Sequence, residues 1–208
     1  MKFLETLLAG AFIVELGRMD DFRGHFARVF CVNELAQHGI EFEAVQANLS
    51  HSNLKGTLRG MHYQDPRISE AKFIRCIQGA VWDVIIDMRP DSPTYLRHIG
   101  VELSAENGIA IYVPDQFAHG NQALTGDAEL LYLMGGAHTP GYELGVRYDD
   151  PAVGIEWPLP VTKIAPRDQE WPLLKMPCQC CGVSGVAPTE ASKPRRKGGF
   201  VLPPPAAV

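Results

Sequence analysis

The sequence contains no uninterrupted apolar run near the ~18 residues that a membrane-spanning helix needs, so no membrane partner is expected. It has no positive surplus either. Its 19 basic residues face 24 acidic ones, a formal net charge of -5, which makes it a poor general nucleic-acid binder. Long helical periodicity and internal repeats are missing, arguing against bundles and solenoids. Cysteine is scarce and odd in number, at five. Cys31 and Cys76 sit in apolar stretches and read as small core residues. Cys178-x-Cys180-Cys181 offers three thiols without the second ligand pair of a structural zinc site. The apolar run Leu7 to Val14 is not built as a secretion signal. Glu5 and Glu15 flank it, Lys2 is the only early positive charge, and no small-x-small cleavage site follows. A first strand or arm of a cytoplasmic protein is the expectation.

Gly and Pro are abundant instead, at 20 and 16 of 208 residues, and 46% of the chain is hydrophobic. One sizeable core rich in turns follows from those numbers. Charge divides the chain. Residues 178–208 hold Lys193, Arg195, Arg196 and Lys197 against Glu190, along with several prolines. The other 177 residues keep 15 basic and 23 acidic groups, so one folded body over 1–177 and a flexible tail over 178–208 are expected.

Short strands fill the body: Phe26 to Cys31, Phe42 to Leu49, Gly56 to Tyr63, Lys72 to Ile77, Val81 to Met88, Arg97 to Leu103, Ala110 to Val113 and Leu130 to Met134. Turn residues separate them, and a short helix opens at Asn33 and is closed by Gly39. Such spacing predicts an all-β barrel or sandwich with few short helices. Asp83 and Asp87 share one face of their strand with Val81 and Ile85, either as hydrogen-bonded strand carboxylates or as site residues. Tyr132 shares a face with Leu130 and Met134, and Gln46 with Asn48.

Lys72 opens the strand after that of Arg59 and His62, one short loop away, and adjacent pairing of the two would gather three cations, an arrangement that favours an anionic, phosphorylated ligand. Arg59 and His62 are three residues apart. Strict alternation separates them, so a bulge or twist must bring both to one site. His119 is placed just beyond a strand.

In order along the chain, Asp21-Phe-Arg-Gly-His-Phe26, Gln46-Ala-Asn48, Gly56-Thr-Leu-Arg-Gly-Met-His-Tyr-Gln64, Lys72, Asp83-Val-Ile-Ile-Asp-Met-Arg89, Ser92-Pro-Thr94, Phe117-Ala-His-Gly120 and Trp157-Pro158 resemble the dTDP-4-dehydrorhamnose 3,5-epimerase family. The resemblance spans about residues 11 to 174. It implies a cupin-like β jelly roll, a homodimer whose N-terminal strands join the partner, and a nucleotide-diphosphate sugar as substrate. The implied reaction inverts carbons flanking the C4 ketone of a 4-keto-6-deoxyhexose. Under the resemblance His62 is the base, Asp168 its orienting carboxylate, Tyr132 the acid on the far face, and Lys72 the cation facing the enolate oxygen. His119 matches a residue near that oxygen, Arg23 and Arg59 match diphosphate contacts, and Phe26, Gln46 and Asn48 match nucleotide and sugar contacts. No metal or redox cofactor is implied, because the substrate ketone is the electron sink.

Three positions depart from the family pattern. Asn121 stands where phenylalanine usually follows Ala-His-Gly, His138 replaces a tyrosine on the nucleobase side, and Arg28 occupies a frequent glutamate position. Two alternatives of other classes are a metal-dependent cupin using His62 and His119, and a sugar-nucleotide-binding protein without catalysis. Against the first, Gln64 stands where the usual His-x-His pair places its second histidine.

Overall fold

A computed structural model describes residues 1–68 and 70–174. The tail expected over 178–208, with its cysteine cluster, lies outside the described residues. The chain starts with an antiparallel pair, β1 (Lys2–Glu5) and β2 (Phe12–Glu15), followed by a separate hairpin of β3 (Arg18–Asp21) and β4 (Gly24–Ala27). Helix α1 (Val32–Gln37) comes next, and then β5 (Gln46–Ser52), β6 (Thr57–Gln64), β7 (Lys72–Gln78) and β8 (Ala80–Asp87). The rest comprises β9 (His98–Ser104), β10 (Ala110–Val113), β11 (Phe117–Ala123), β12 (Ala128–Met134), β13 (Glu143–Gly145), β14 (Lys163–Ile164) and α2 (Pro166–Glu170).

Two sheets carry the architecture. The first runs β1-β2-β10-β7-β12-β5; the second runs β13-β6-β11-β8-β9, with β14 added parallel to β6. Among the described residues no ladder joins the two sheets, so the expected jelly roll takes the double-sheet form rather than a closed barrel. Alternation explains the core between them. Ile13, Ile74, Ile111 and Leu130 project inward from the first sheet against Val81, Ile85, Leu103 and Phe117 of the second. Each such side chain contributes about 1.5–3 kcal/mol by leaving water.

Both outer faces are covered in part. Val14, Phe73 and Tyr112 of the first sheet pack against Leu35, Ile40 and Phe42 around α1, which Gly39 ends at φ +72. Met61, Val84 and Ile86 of the second pack against Val146, Val153 and Trp157. Double coverage explains why β8 is apolar on its even positions and also carries Val81 and Ile85 on its odd ones. Asp87 is fully buried and satisfied by Arg89, Ser92 and Thr94.

Several boundaries differ from the sequence expectation. Phe26 to Cys31 pairs only as far as Ala27, and the strand expected from Phe42 begins at Gln46, because Phe42 is drawn into the cluster under α1. His119 does follow β10, but the segment Phe117–Ala123 is itself a strand, buried throughout, and His119 lies within it. Its Gly, Asn and Gln have low strand propensity; pairing on both edges with β6 and β8 overrides that.

Candidate active site

Arg59 and His62 reach the same cleft because β6 is bulged. His119 pairs with His62 and Asn121 with Arg59, so three steps along β6 match two along β11. The extra residue reverses the alternation that would otherwise separate the two cations. Gly60 permits the close approach: its φ is +116, and a Cβ there would lie 2.5 Å from Cα of Gly120.

The cleft has a volume of about 700 Å³ and opens between the sheets. Asn48, Lys72 and Tyr132 line it from the first sheet, while Arg59, His62, His119 and Asn121 line it from the second. The β14–α2 segment forms a third wall with Lys163, Arg167 and Asp168. Parallel pairing of Lys163 and Ile164 with Thr57 and Leu58 delivers α2 beside β6, and Trp171 packs over Gly145 behind it.

His62 Nε2 lies 2.6 Å from Oδ1 of Asp168, while Oδ2 accepts the backbone N–H of Gly60 at 3.1 Å. Burial pushes the Asp168 carboxyl up, but hydrogen bonds from His62 and Gly60 outweigh it and hold the pKa below the ordinary value. Asp168 is therefore an acceptor-only carboxylate, so Nε2 of His62 carries the proton and Nδ1 is the basic nitrogen. His119 makes a second pair, with Nε2 2.7 Å from Oδ2 of the fully buried Asp83. Asp83 is thus a hydrogen-bonded strand carboxylate that does not itself line the cleft but holds a residue that does.

Tyr132 stands across the cleft from His62. Burial, reinforced by the charge of Asp83, pushes its hydroxyl well above the ordinary tyrosine value, so it remains a protonated phenol. Asn121 Nδ2 donates to that hydroxyl at 3.3 Å, and His119 meets the ring edge-on with centroids 5.7 Å apart. Lys72 is buried and donates to Oε2 of Glu70 at 2.8 Å; Glu70 Oε1 also accepts from Gln64. Arg59 donates to Ser52 and to the carbonyl of His51.

Not every expected residue enters this cleft. Arg23 and Phe26 sit on the β3–β4 hairpin, where Arg23 pairs with Asp21 at 2.5 Å and Phe26 is 69% exposed. Gln46 and His138 do not line the cleft either, but connect to Asn48, which does: Gln46 donates to Asn48 at 3.0 Å and accepts the His138 backbone N–H at 3.2 Å. Sequence reasoning missed Glu70, Lys163 and Arg167. Glu70 precedes Lys72 by two and so shares a strand-like face with it, a usable signal. Lys163 and Arg167 carry no local signal, since only the β14–β6 pairing brings them in. Among the described residues no group of three His, Cys, Asp or Glu side chains is arranged to hold a metal ion. His62 and His119 each turn a nitrogen to a different carboxylate rather than to one shared point.

Residues 5–176 match the profile of the family described as dTDP-4-dehydrorhamnose 3,5-epimerase. A protein of that name from Methanothermobacter thermautotrophicus is 37% identical over 177 residues, covering 84% of this chain and 95% of the relative. A dTDP-4-dehydrorhamnose 3-epimerase from Streptomyces niveus is 38% identical over 155 residues, 74% of each chain. The crystal structure of a dTDP-4-dehydrorhamnose 3,5-epimerase from Bacillus anthracis, with TDP and PPi bound, superimposes with a TM-score of 0.80 at 34% identity, covering 83% of this chain and 99% of that one.

Proposed function

Since the chain belongs to the dTDP-4-dehydrorhamnose 3,5-epimerase family, we propose that it inverts one or both carbons flanking the ketone of a nucleotide-linked 4-keto-6-deoxyhexose. The observation that carries the assignment of roles is the placement of a carboxylate-held imidazole, His62, and a protonated phenol, Tyr132, on opposite walls of one cleft. Nδ1 of His62 takes the proton beside the carbonyl, and the electron pair moves to the ketone oxygen as an enolate. The Lys72 ammonium faces that oxygen, with His119 beside it. Tyr132 returns a proton to the opposite face of the same carbon, which is what inverts it. The ketone itself accepts the electrons, so the chemistry asks for no metal or redox group.

Arg59, Lys163 and Arg167 supply positive charge for the diphosphate, and Asn48, backed by Gln46 and His138, supplies polar contacts for the nucleotide side. Arg23 and Phe26 complete the cleft of a second copy in a homodimer. Support comes from the hairpin itself, where Met19, Phe22 and Phe26 are 60%, 98% and 69% exposed. The outer face of the first sheet adds to it. Leu49 and Ile77 are exposed there around a buried Arg75 whose Nε and Nη2 have no hydrogen-bond partner among the described residues. Free thiols at Cys31 and Cys76 suit the reducing cytoplasm.

The test is solvent deuterium incorporation at the carbons flanking the ketone, with thymidine, cytidine and guanosine diphosphate 4-keto sugars as a panel. Incorporation with at least one of them, lost in His62→Ala, is expected. Failure of all three to exchange with folded protein would overturn the reading.

A further inference from the structure

We propose that Asn121 is the positioning residue for the proton donor: its amide holds the Tyr132 hydroxyl so that the phenolic proton faces the cleft, and this governs how often proton removal ends in inversion. The inference rests on the roles given above to His62 and Tyr132. Asn121 is 3% exposed on β11 of one sheet, and Tyr132 belongs to β12 of the other, so their hydrogen bond spans the two walls of the cleft.

An amide NH₂ can only donate. Nδ2 therefore occupies a lone pair of the tyrosine oxygen and leaves the O–H proton unspent. Among the described residues Tyr132 makes no other side-chain hydrogen bond, so nothing on the protein side accepts that proton. The ring plane is set independently by the edge contact with His119, itself tied to Asp83. Between them, two residues of β11 determine both where the ring lies and which way its hydroxyl points. The same hydrogen bond favours the phenolate left after donation, against the burial and the Asp83 charge that oppose it. A phenylalanine, usual here in the family pattern, can do neither.

Each turnover offers a choice. After His62 has removed the proton, the enolate either receives one from Tyr132 on the far face, giving inversion, or takes one back from His62, giving exchange with retained configuration. In the first case the Tyr132 O–H bond breaks, a C–H bond forms, and the phenolate regains a proton from solvent as His62 releases its own. Asn121 acts on that branch alone.

The experiment follows both outcomes in D₂O for a panel sugar that the wild-type protein turns over: deuterium in recovered substrate, and inverted product. Asn121→Leu removes the donor while keeping the branching and heavy-atom count of the side chain, and is expected to raise the exchange-to-inversion ratio about tenfold, the loss of one well-placed hydrogen bond. Asn121→Asp accepts the phenolic proton instead of donating and is expected to raise the ratio at least as far. Thermal unfolding identifies which variants are folded. A ratio unchanged in both folded variants, or exchange and inversion falling in parallel, overturns the proposal. Absence of any exchange by the wild type overturns the functional reading instead, a separate result.

Discussion

His62 Nε2 and Asp168 Oδ1 are 2.6 Å apart although 106 residues separate them. The contact exists because a two-residue strand, β14, pairs in parallel with the start of β6, so that α2 and the bulged β6 meet at fixed spacing. An acceptor-only partner fixes which nitrogen of His62 is basic. Asp168→Asn offers an amide that can donate to Nε2 and stabilise the wrong tautomer. Deuterium exchange should fall about 10²–10⁴-fold, the usual range for losing a positioned general base, with little change in thermal midpoint. Exchange within a few-fold of wild type would remove Asp168 from the mechanism.

Lys72 and Glu70 make a largely buried pair, with side chains 8% and 17% exposed. Removing one charge leaves the other uncompensated. Glu70→Gln should therefore destabilise the fold by about 3 kcal/mol in chemical denaturation. Combined with Lys72→Met, much of that stability should return while activity does not. If the double variant is no more stable than Glu70→Gln alone, the pair is not the source of the loss.

Asp87 does not line the cleft. Burial pushes its carboxyl up, but hydrogen bonds from Arg89, Ser92 and Thr94 more than offset this and bring the pKa from 3.8 down to about 2. A depressed pKa adds stability that is fully present above the unfolded value and is lost as pH falls through the folded one. Asp87 should thus supply about 2 kcal/mol near neutrality, disappearing between roughly pH 4 and pH 2. Melting curves of the wild type and Asp87→Asn should converge over that interval. Parallel curves down to pH 2 would contradict the assignment.

If the β3–β4 hairpin completes the partner's cleft, Arg23→Ala and His62→Ala should complement each other. Each mixed dimer would hold one cleft with an intact core and an intact hairpin. Random reassociation should restore about a quarter of wild-type activity from two nearly inactive parents, because about half the dimers are mixed and each has one good site. No recovery, with dimers verified by analytical ultracentrifugation, would place Arg23 outside the partner's site.

Much of the fold was legible from local pattern. Strands β6, β7, β8, β9, β10 and β12 follow their expected ranges within two residues, since alternation and turn residues act over short distances. Strand β11 was not legible, because Phe-Ala-His-Gly-Asn-Gln-Ala has neither strand propensity nor clean alternation, and its neighbours on both edges hold it extended. Of the β3–β4 hairpin only Phe26 and Ala27 fall within an expected strand: β3 is exposed throughout and has no apolar rhythm to read.

The sequence by itself determined an all-β body with few short helices and the motifs that mark the family, and it is the resemblance carried by those motifs that singles out His62, Lys72, Tyr132 and Asp168. Those properties depend on residue type and near neighbours. Only the tertiary structure decided where along β6 the register shifts to bring Arg59 and His62 to one side, that Glu70 pairs with Lys72, that Asn121 reaches Tyr132 across the sheets, and that Arg23 does not line its own chain's cleft. Each depends on strand register and sheet stacking, set by long-range pairing that leaves no periodic trace along the chain.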